Sequence, residues 1–227
     1  MSLTHADVAM QFDDAEQQRS AATFGMWIFL TTEFLFFGGM FVAYAVYRTQ
    51  FPDAFVLGGQ HVNLWAGGVM TTVLLTGSLL VAMSDHLIEH SEAGGASETD
   101  KLRSTIVRRL AITAALGVAF LGCEFYEYYT LIGERLFPGS HFDNSQFAHL
   151  DFAGGSAQLF FVLFFCMTGL HGLHMIIGIS LVSGLAVAIR RSREPVRLRT
   201  AVKVIGLYWH FVDIVWLFLY PLFYLVR

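Results

Sequence analysis

The sequence has few charged residues and very little proline. Charged side chains make up 14% of the 227 residues, and proline occurs four times. Soluble globular domains carry about 25% charged residues, so the scarcity of charge excludes an ordinary water-soluble enzyme. Scarce proline suits long apolar helices rather than sheets, and a membrane β-barrel is not expected.

Cysteine is also scarce, with Cys123 and Cys166 as the only two. Both fall inside predicted helices, where a disulfide would need an unusually close approach of two backbones. Neither has a second thiol within four residues to complete a metal site. The sequence therefore predicts two reduced packing residues.

Apolar residues dominate instead. They make up 55% of the chain, with 22 phenylalanines and a mean hydropathy of +0.56. Five apolar runs are long enough to cross ~30 Å of hydrocarbon, at about 22–47, 62–84, 106–133, 154–189 and 201–225. The sequence predicts an all-α integral membrane protein, a five-helix bundle over 22–227 that follows a cytoplasmic N-terminal segment, 1–21.

The basic residues predict how this bundle is oriented. Ten of the 14 lie after the second and fourth apolar runs, at Lys101, Arg103, Arg108, Arg109, Arg190, Arg191, Arg193, Arg197, Arg199 and Lys203. Cytoplasmic loops are enriched in Lys and Arg, so the N-terminus is expected in the cytoplasm and the C-terminus outside. The polar stretch 84–105 is expected to form a flexible cytoplasmic hairpin.

Seven acidic or histidine residues interrupt the apolar runs: Glu33, Glu124, Glu127, His171, His174, His210 and Asp213. Each costs a few kcal/mol in hydrocarbon unless it is paired or hydrated. Six of them form pairs at i and i+3, a spacing that places both members on one helix face. The last three helices are therefore expected to direct polar faces into the bundle.

Helix rise separates these groups into two layers. Glu33, His210 and Asp213 are expected nearer the cytoplasmic side, with the other four from mid-membrane outward. We expect Glu127 to bond His171, and Asp213 or Glu33 to meet His210. Three interpretations stay open: a network that fixes helix register, a proton-handling or lipid-headgroup site centred on Glu33, and a metal or haem held by the histidines.

Two further patterns predict packing rather than chemistry. Gly68, Thr72 and Thr76 recur every fourth residue in the second helix, a pattern typical of close helix contacts. Tyrosines near the outer helix ends are expected to be interfacial anchors; they are Tyr44, Tyr47, Tyr128, Tyr129, Tyr220 and Tyr224.

Four segments resemble subunit III of haem-copper oxidases. The stretch 208–220, Tyr-Trp-His-Phe-Val-Asp-Ile-Val-Trp-Leu-Phe-Leu-Tyr, is similar to the closing helix of that family, and 168–178, Thr-Gly-Leu-His-Gly-Leu-His-Met-Ile-Ile-Gly, to the preceding helix. Residues 29–37 resemble its Glu-bearing helix, and 124–128 its Glu-x-x-Glu-Tyr segment. The resemblance covers four of the five predicted helices in the family's order.

The resemblance implies a subunit of a proton-translocating cytochrome c oxidase in the bacterial cytoplasmic membrane. It implies a chain without catalytic residues, haem or copper, which packs against catalytic subunit I and other oxidase subunits and sustains proton uptake and catalytic lifetime. Haem and copper are expected in partner subunits, phospholipid is a candidate ligand, and no nucleic acid partner is expected. Glu33 matches the family carboxylate known for carbodiimide reactivity, and Arg190 and Arg191 are candidates for binding lipid headgroups.

Other functions remain open from the sequence. A quinol oxidase subunit III and an accessory subunit of nitric oxide reductase share the same scaffold. A stand-alone proton-coupled carrier that uses Glu33 and the histidines belongs to another class, although the chain shows no inverted repeat. Larger members of the resembled family have two additional helices that enclose phospholipids, so a cleft here would need a partner chain or open to bulk lipid.

The predicted orientation is tested with a reporter enzyme fused to the C-terminus. Because ten basic residues flank one side of the bundle, we expect alkaline phosphatase to be active in this fusion and a cytoplasm-dependent reporter to be inactive. The opposite pattern of activities would overturn the topology.

Overall fold

The structure is a computed structural model that describes residues 10–91, 96–147, 155–192 and 194–226. All regular structure in these ranges is helical. Six α-helices occur in the order α1 Ala15–Gln50, α2 Pro52–Gln60, α3 Leu64–Glu89, α4 Ala96–Gly133, α5 Gly155–Arg191 and α6 Arg199–Tyr224. Short 3-10 helices precede α5 and α6, at Asn144–Phe147 and Pro195–Leu198.

Five of these helices are long and apolar enough to cross a membrane, namely α1, α3, α4, α5 and α6. This confirms the predicted all-α membrane fold. Each helix extends beyond its predicted span at one end or both, because hydropathy marks the part of a helix in hydrocarbon and not its ends. The flexible stretch predicted at 84–105 is too long, since α3 continues to Glu89 and α4 begins at Ala96. Residues 92–95 of this connection lie outside the described residues.

The start of α1 shows how a polar segment becomes helical. Asp14 is the N-cap, and its carboxylate accepts a hydrogen bond from the Gln17 amide at 2.7 Å. The Gln17 side chain accepts one from the Asp13 amide at 2.7 Å. This reciprocal capping satisfies amides that the first turn leaves unpaired. Helix α1 therefore begins within the predicted N-terminal segment 1–21, of which 1–9 lies outside the described residues.

Four of the long helices form a closed ring, in which α3 packs on α4, α4 on α5, α5 on α6 and α6 on α3. Helix α1 lies outside this ring, mainly against α6. Its contact stripe is Leu30, Phe37 and Tyr44, one residue every two turns. The Tyr44 hydroxyl also donates a hydrogen bond to the Leu222 carbonyl. Helix α1 is therefore an attachment to a four-helix bundle.

The packed face of α3 is not the predicted one. Its buried residues include Gly67, Leu74 and Gly77, whereas Thr72 and Thr76 are exposed and donate hydrogen bonds to carbonyls of their own helix. Both faces carry small residues, including Gly67 and Gly77 on the buried one. The face that packs is the one opposite large aromatic rings of α6, because these rings fit against α3 only where it carries glycine.

The two cysteine thiols are free, as predicted, but both lie exposed on the outside of the bundle. The prediction that they fill the interior is therefore wrong. In a membrane bundle the outer surface is as apolar as the core, so a cysteine in an apolar run has no preference for the inside.

Exposed polar contacts occupy the end of the bundle opposite the start of α1. The His61 ring lies 3.3 Å from the Glu134 carboxylate, joining the start of α3 to the end of α4. In the connection to α5, the Ser145 amide and hydroxyl donate to Asp143 at 2.9 and 2.6 Å. These two bonds lower the pKa of the Asp143 carboxyl because they favour its charged form.

Replacing Gly67 by alanine tests the packing of α3 on α6. A Cβ at this position would lie 2.7–2.9 Å from ring carbons of Tyr224 and Tyr220, so the variant is expected to lose roughly 1–3 kcal/mol of stability. The measurement is the thermal midpoint of the detergent-solubilised protein. The control is Gly122→Ala on α4, where a Cβ meets nothing within 4 Å. Equal midpoints for the two variants would contradict this packing.

Candidate functional site

The seven ionisable residues lie on four of the long helices. Helix α1 contributes Glu33, α4 contributes Glu124 and Glu127, and the remaining four come from α5 and α6. Most are enclosed, and Glu124, Glu127, His171, His174 and Asp213 are all buried. The structure brings some of them together and separates others that the sequence had paired.

Glu33 and His174 form the one direct acid–imidazole contact among the seven. The Glu33 Oε2 atom lies 3.2 Å from His174 Nε2. His174 Nδ1 lies 2.9 Å from the Leu170 carbonyl and must donate to it, because a carbonyl oxygen only accepts. A hydrogen bond between Nε2 and the Glu33 carboxyl then needs one proton between these two atoms. Either atom of the pair can carry it.

Aromatic rings surround this pair. The Phe37 ring meets the His174 imidazole edge-to-face at 5.4 Å. Tyr208 stacks beside the same imidazole and donates a hydrogen bond to the His174 carbonyl at 3.2 Å. These contacts hold the imidazole toward α1, so the pair joins α1 to α5 at a defined register.

Glu127 has different partners from those predicted. It accepts hydrogen bonds from the Tyr224 hydroxyl and from the backbone amide of Asn63, the latter at 3.3 Å. The predicted bond from Glu127 to His171 is absent, and that prediction is wrong. Helix rotation explains the difference, because His171 points between the rings of Phe120 and Trp216 at 5.5 and 5.3 Å.

His171 and Glu124 are enclosed in the ring of four helices without a hydrogen-bond partner in the described part of the chain. Both nitrogens of His171 and both oxygens of Glu124 share this state. Gly172 makes room for the Glu124 carboxyl, since a Cβ there would lie 3.2 Å from its Oε2. The interior thus holds a carboxyl group and an imidazole without a hydrogen-bond partner among the described residues.

His210 and Asp213 are also arranged differently from the prediction. His210 Nδ1 lies 2.5 Å from the Ser78 hydroxyl, so neither Asp213 nor Glu33 is its partner. Asp213 lies close to Ser78 and Trp209 without a well-aligned hydrogen bond to either. The prediction failed because it considered only ionisable partners, whereas a serine on α3 supplies the contact.

Several polar residues that complete this interior were not predicted from the sequence to lie there. Tyr224 and Tyr44 are buried and hydrogen-bonded, so their prediction as interfacial anchors is wrong. The Tyr128 hydroxyl likewise lies 2.6 Å from the Thr168 hydroxyl. The available signal for Tyr128 was its position inside an apolar run, five residues before the run ends. Nothing in the sequence distinguished Ser78 from its neighbours.

The structure gives no paired-histidine haem site among the predicted residues. His174 faces Glu33, His210 faces Ser78, and His171 lies between two aromatic rings. In the described ranges, no group of three or more His, Cys, Asp or Glu residues is arranged to hold a metal ion. Arg190 and Arg191 lie exposed in the last turn of α5, away from this interior.

Tyr224→Phe tests the hydrogen bond to Glu127. The variant removes a donor from a buried carboxyl, and we expect a loss of about 1–3 kcal/mol in stability, seen as a lower thermal midpoint. Tyr220→Phe is the matched control, one turn earlier on α6 and without a hydrogen bond in the described residues. Equal midpoints for the two variants would show that the bond does not stabilise the bundle.

Comparisons with known proteins agree with this architecture. The family described as cytochrome c oxidase subunit III matches residues 5–226. Cytochrome c oxidase subunit 3 of Thermostichus vulcanus is 32% identical, covering 96% of this chain and 94% of the relative. That of Synechocystis is 31% identical, covering 89% and 75% respectively, and quinol oxidase subunit 3 of Bacillus subtilis is 27% identical, covering 89% and 85%. The chain belongs to the cytochrome c oxidase subunit III family, a subunit of haem-copper respiratory oxidases.

Proposed function

We propose that this chain is the non-redox subunit III of a terminal oxidase in a bacterial cytoplasmic membrane. In this proposal it packs against catalytic subunit I, stabilises that subunit, and supports proton uptake by the proton-translocating complex through Glu33 and His174. The N-terminus lies in the cytoplasm and the C-terminus outside. Haem and copper belong to the partner subunits, as is general for this family.

Accessibility of Glu33 is the observation that carries this proposal. The Glu33 side chain is 21% exposed, whereas Glu124, Glu127 and Asp213 are only 3–7% exposed. A group that exchanges protons with a neighbouring subunit must reach the surface of its own chain. Glu33 meets that requirement, and its bond to His174 supplies a second proton-binding atom. The enclosed acids are better suited to fixing the helices.

The electron donor we propose is cytochrome c. Two relatives above 30% identity that cover most of this chain are cytochrome c oxidase subunits. Quinol is the second candidate, because quinol oxidase subunits from Bacillus and Staphylococcus are 27–28% identical. An accessory subunit of nitric oxide reductase and a stand-alone proton carrier gain no support from these relatives.

The proposal is tested by purifying the complex in mild detergent through a tag on this chain. A reduced-minus-oxidised visible spectrum and oxygen uptake with reduced cytochrome c, then with quinol, are measured on the same preparation. We expect haem bands and oxygen uptake with cytochrome c. Oxygen uptake with quinol but not with cytochrome c would show that quinol is the electron donor. An intact but colourless and inactive preparation would overturn the oxidase proposal.

Glu33→Gln tests the role of the accessible pair. The variant keeps the side-chain shape but removes a proton-binding group, so we expect slower turnover at high pH and faster loss of activity during turnover. Both are measured as oxygen uptake by the purified complex. Glu134→Gln is the matched control, because it alters an acid that also contacts a histidine but lies exposed at the end of α4. Equal behaviour of the two variants would contradict the proposal.

A further inference from the structure

A polar cavity opens at the end of the bundle where α1 begins, between α1, α3 and α6. Its volume is about 560 Å³, which is enough for several water molecules. Charged groups are costly to remove from water, and six of them line this cavity. They are Glu16, Arg19, Asp85, Glu89, Arg199 and Lys203. The cavity therefore brings water to the contact between α3 and α6.

Asp85 lies at the boundary between this cavity and the inside of the bundle. The residue lines the cavity and is half-buried. One of its two carboxyl oxygens, Oδ1, is enclosed and has no hydrogen-bond partner within the described ranges. The Asp85 carboxyl group is thus placed to take up a proton from cavity water and to release it toward the interior.

Helix geometry directs Asp85 and His210 toward each other. Helices α3 and α6 are antiparallel, since the end of α3 and the start of α6 share the cavity. Asp85 lies seven residues, or about 10 Å, beyond Ser78, the α3 residue that contacts His210. Helix side chains lean toward the N-terminus of their own helix, so Asp85 leans toward the level of His210 and His210 leans toward the cavity. The two groups are close enough to interact electrostatically, which suits proton transfer between them through intervening water.

Ser78 differs from the other hydroxyl-bearing residues in and just after α3. Five of these donate a hydrogen bond to the carbonyl one turn earlier, namely Thr71, Thr72, Thr76, Ser84 and Ser91. The Ser78 hydroxyl instead lies 2.5 Å from His210 Nδ1, and the described residues include no such carbonyl partner for it. The Asp213 carboxyl also lies close to Ser78. Because a hydroxyl both accepts and donates, Ser78 can pass a proton from His210 to Asp213.

Asp213 is the innermost of these groups. It is 3% exposed, and neither of its carboxyl oxygens has a hydrogen-bond partner in the part of the chain that the structure describes. An acid that only fixes helix rotation is expected to use its oxygens in hydrogen bonds, as Glu127 does. The unpaired oxygens of Asp213 leave its carboxyl group available to bind a proton.

We propose that Asp85, His210 and Ser78 form a proton path from the cavity to the Asp213 carboxyl group. Cavity water gives a proton to Asp85, which passes it through water to His210 Nε2. The imidazole then releases its Nδ1 proton to the Ser78 oxygen, and the hydroxyl passes its own proton to the Asp213 carboxylate. One proton is gained by Asp213 and one is lost by the cavity water, and return of the proton along the same groups restores the imidazole tautomer. The path is separate from the acid–imidazole pair between α1 and α5 and does not depend on the role of that pair.

Infrared spectroscopy of the purified complex tests this proposal by measuring how fast the Asp213 carboxyl group exchanges its proton for deuterium after a change from H₂O to D₂O. The Asp213 band is the carboxyl C=O band that Asp213→Asn removes and that Asp213→Glu, which keeps the acid, shifts. We expect Asp85→Asn to slow this exchange at least about tenfold, because a positioned proton-transfer group is lost. The matched control is Glu89→Gln, which alters an exposed acid of the same cavity wall one turn away and is expected to leave the rate unchanged.

A second pair of variants tests the inner part of the path. Ser78→Ala is expected to slow the exchange as well, whereas Thr76→Ala removes an exposed hydroxyl that bonds only to its own helix and is expected to have no effect. The haem spectrum and the thermal midpoint of each preparation show that the complex stays assembled. Equal exchange rates for Asp85→Asn and Glu89→Gln, or for the two hydroxyl variants, would overturn the path. An Asp213 carboxyl group that never exchanges, or that never binds a proton over the pH range in which the complex is stable, would overturn it too.

Discussion

A hydrogen-bond partner stabilises a carboxyl or imidazole group inside an apolar helix bundle, and the bonds of Glu127, His174 and His210 to other helices fix how those helices are rotated. Glu127 illustrates it, because its two bonds tie α4 to the end of α6 and to the start of α3. Apolar packing alone specifies the rotation of a helix only weakly in a membrane, because the inside and the outside of the bundle are equally apolar. The polar contacts provide the discrimination that the hydrophobic pattern lacks.

Helix α1 follows a different principle from the other four spans. The ring of α3, α4, α5 and α6 encloses its own acids, whereas α1 is held by an apolar stripe, by Tyr44 and by the bond between Glu33 and His174. Because α1 packs on the outside of the ring, its acidic side chain Glu33 stays partly accessible. The same loose attachment leaves space for the charged cavity near its first turns. Both proposals therefore start from groups on or beside α1, the helix with the least support from the ring.

The fold was predictable from the sequence because long apolar runs in a chain with little charge leave few alternatives. The candidate residues were predictable for a related reason, since each stands out against an apolar background. Their partners were not predictable. Ser78 and Tyr224 carry no charge and resemble their neighbours, so the pairings of His210 and Glu127 depend on helix rotations that a single sequence does not contain. The packed face of α3 was misassigned for the same reason.

The proposed function depends most on Glu33 and His174 acting as one unit, and a double-mutant cycle measures this directly. Glu33→Gln, His174→Gln and the double variant are compared in the purified complex by the rate at which activity is lost during turnover. We expect the double variant to lose activity no faster than the more damaging single variant does. This corresponds to a coupling energy between the two residues of about 1 kcal/mol or more. Effects that add within ~0.5 kcal/mol would show that the two residues act independently and would contradict it.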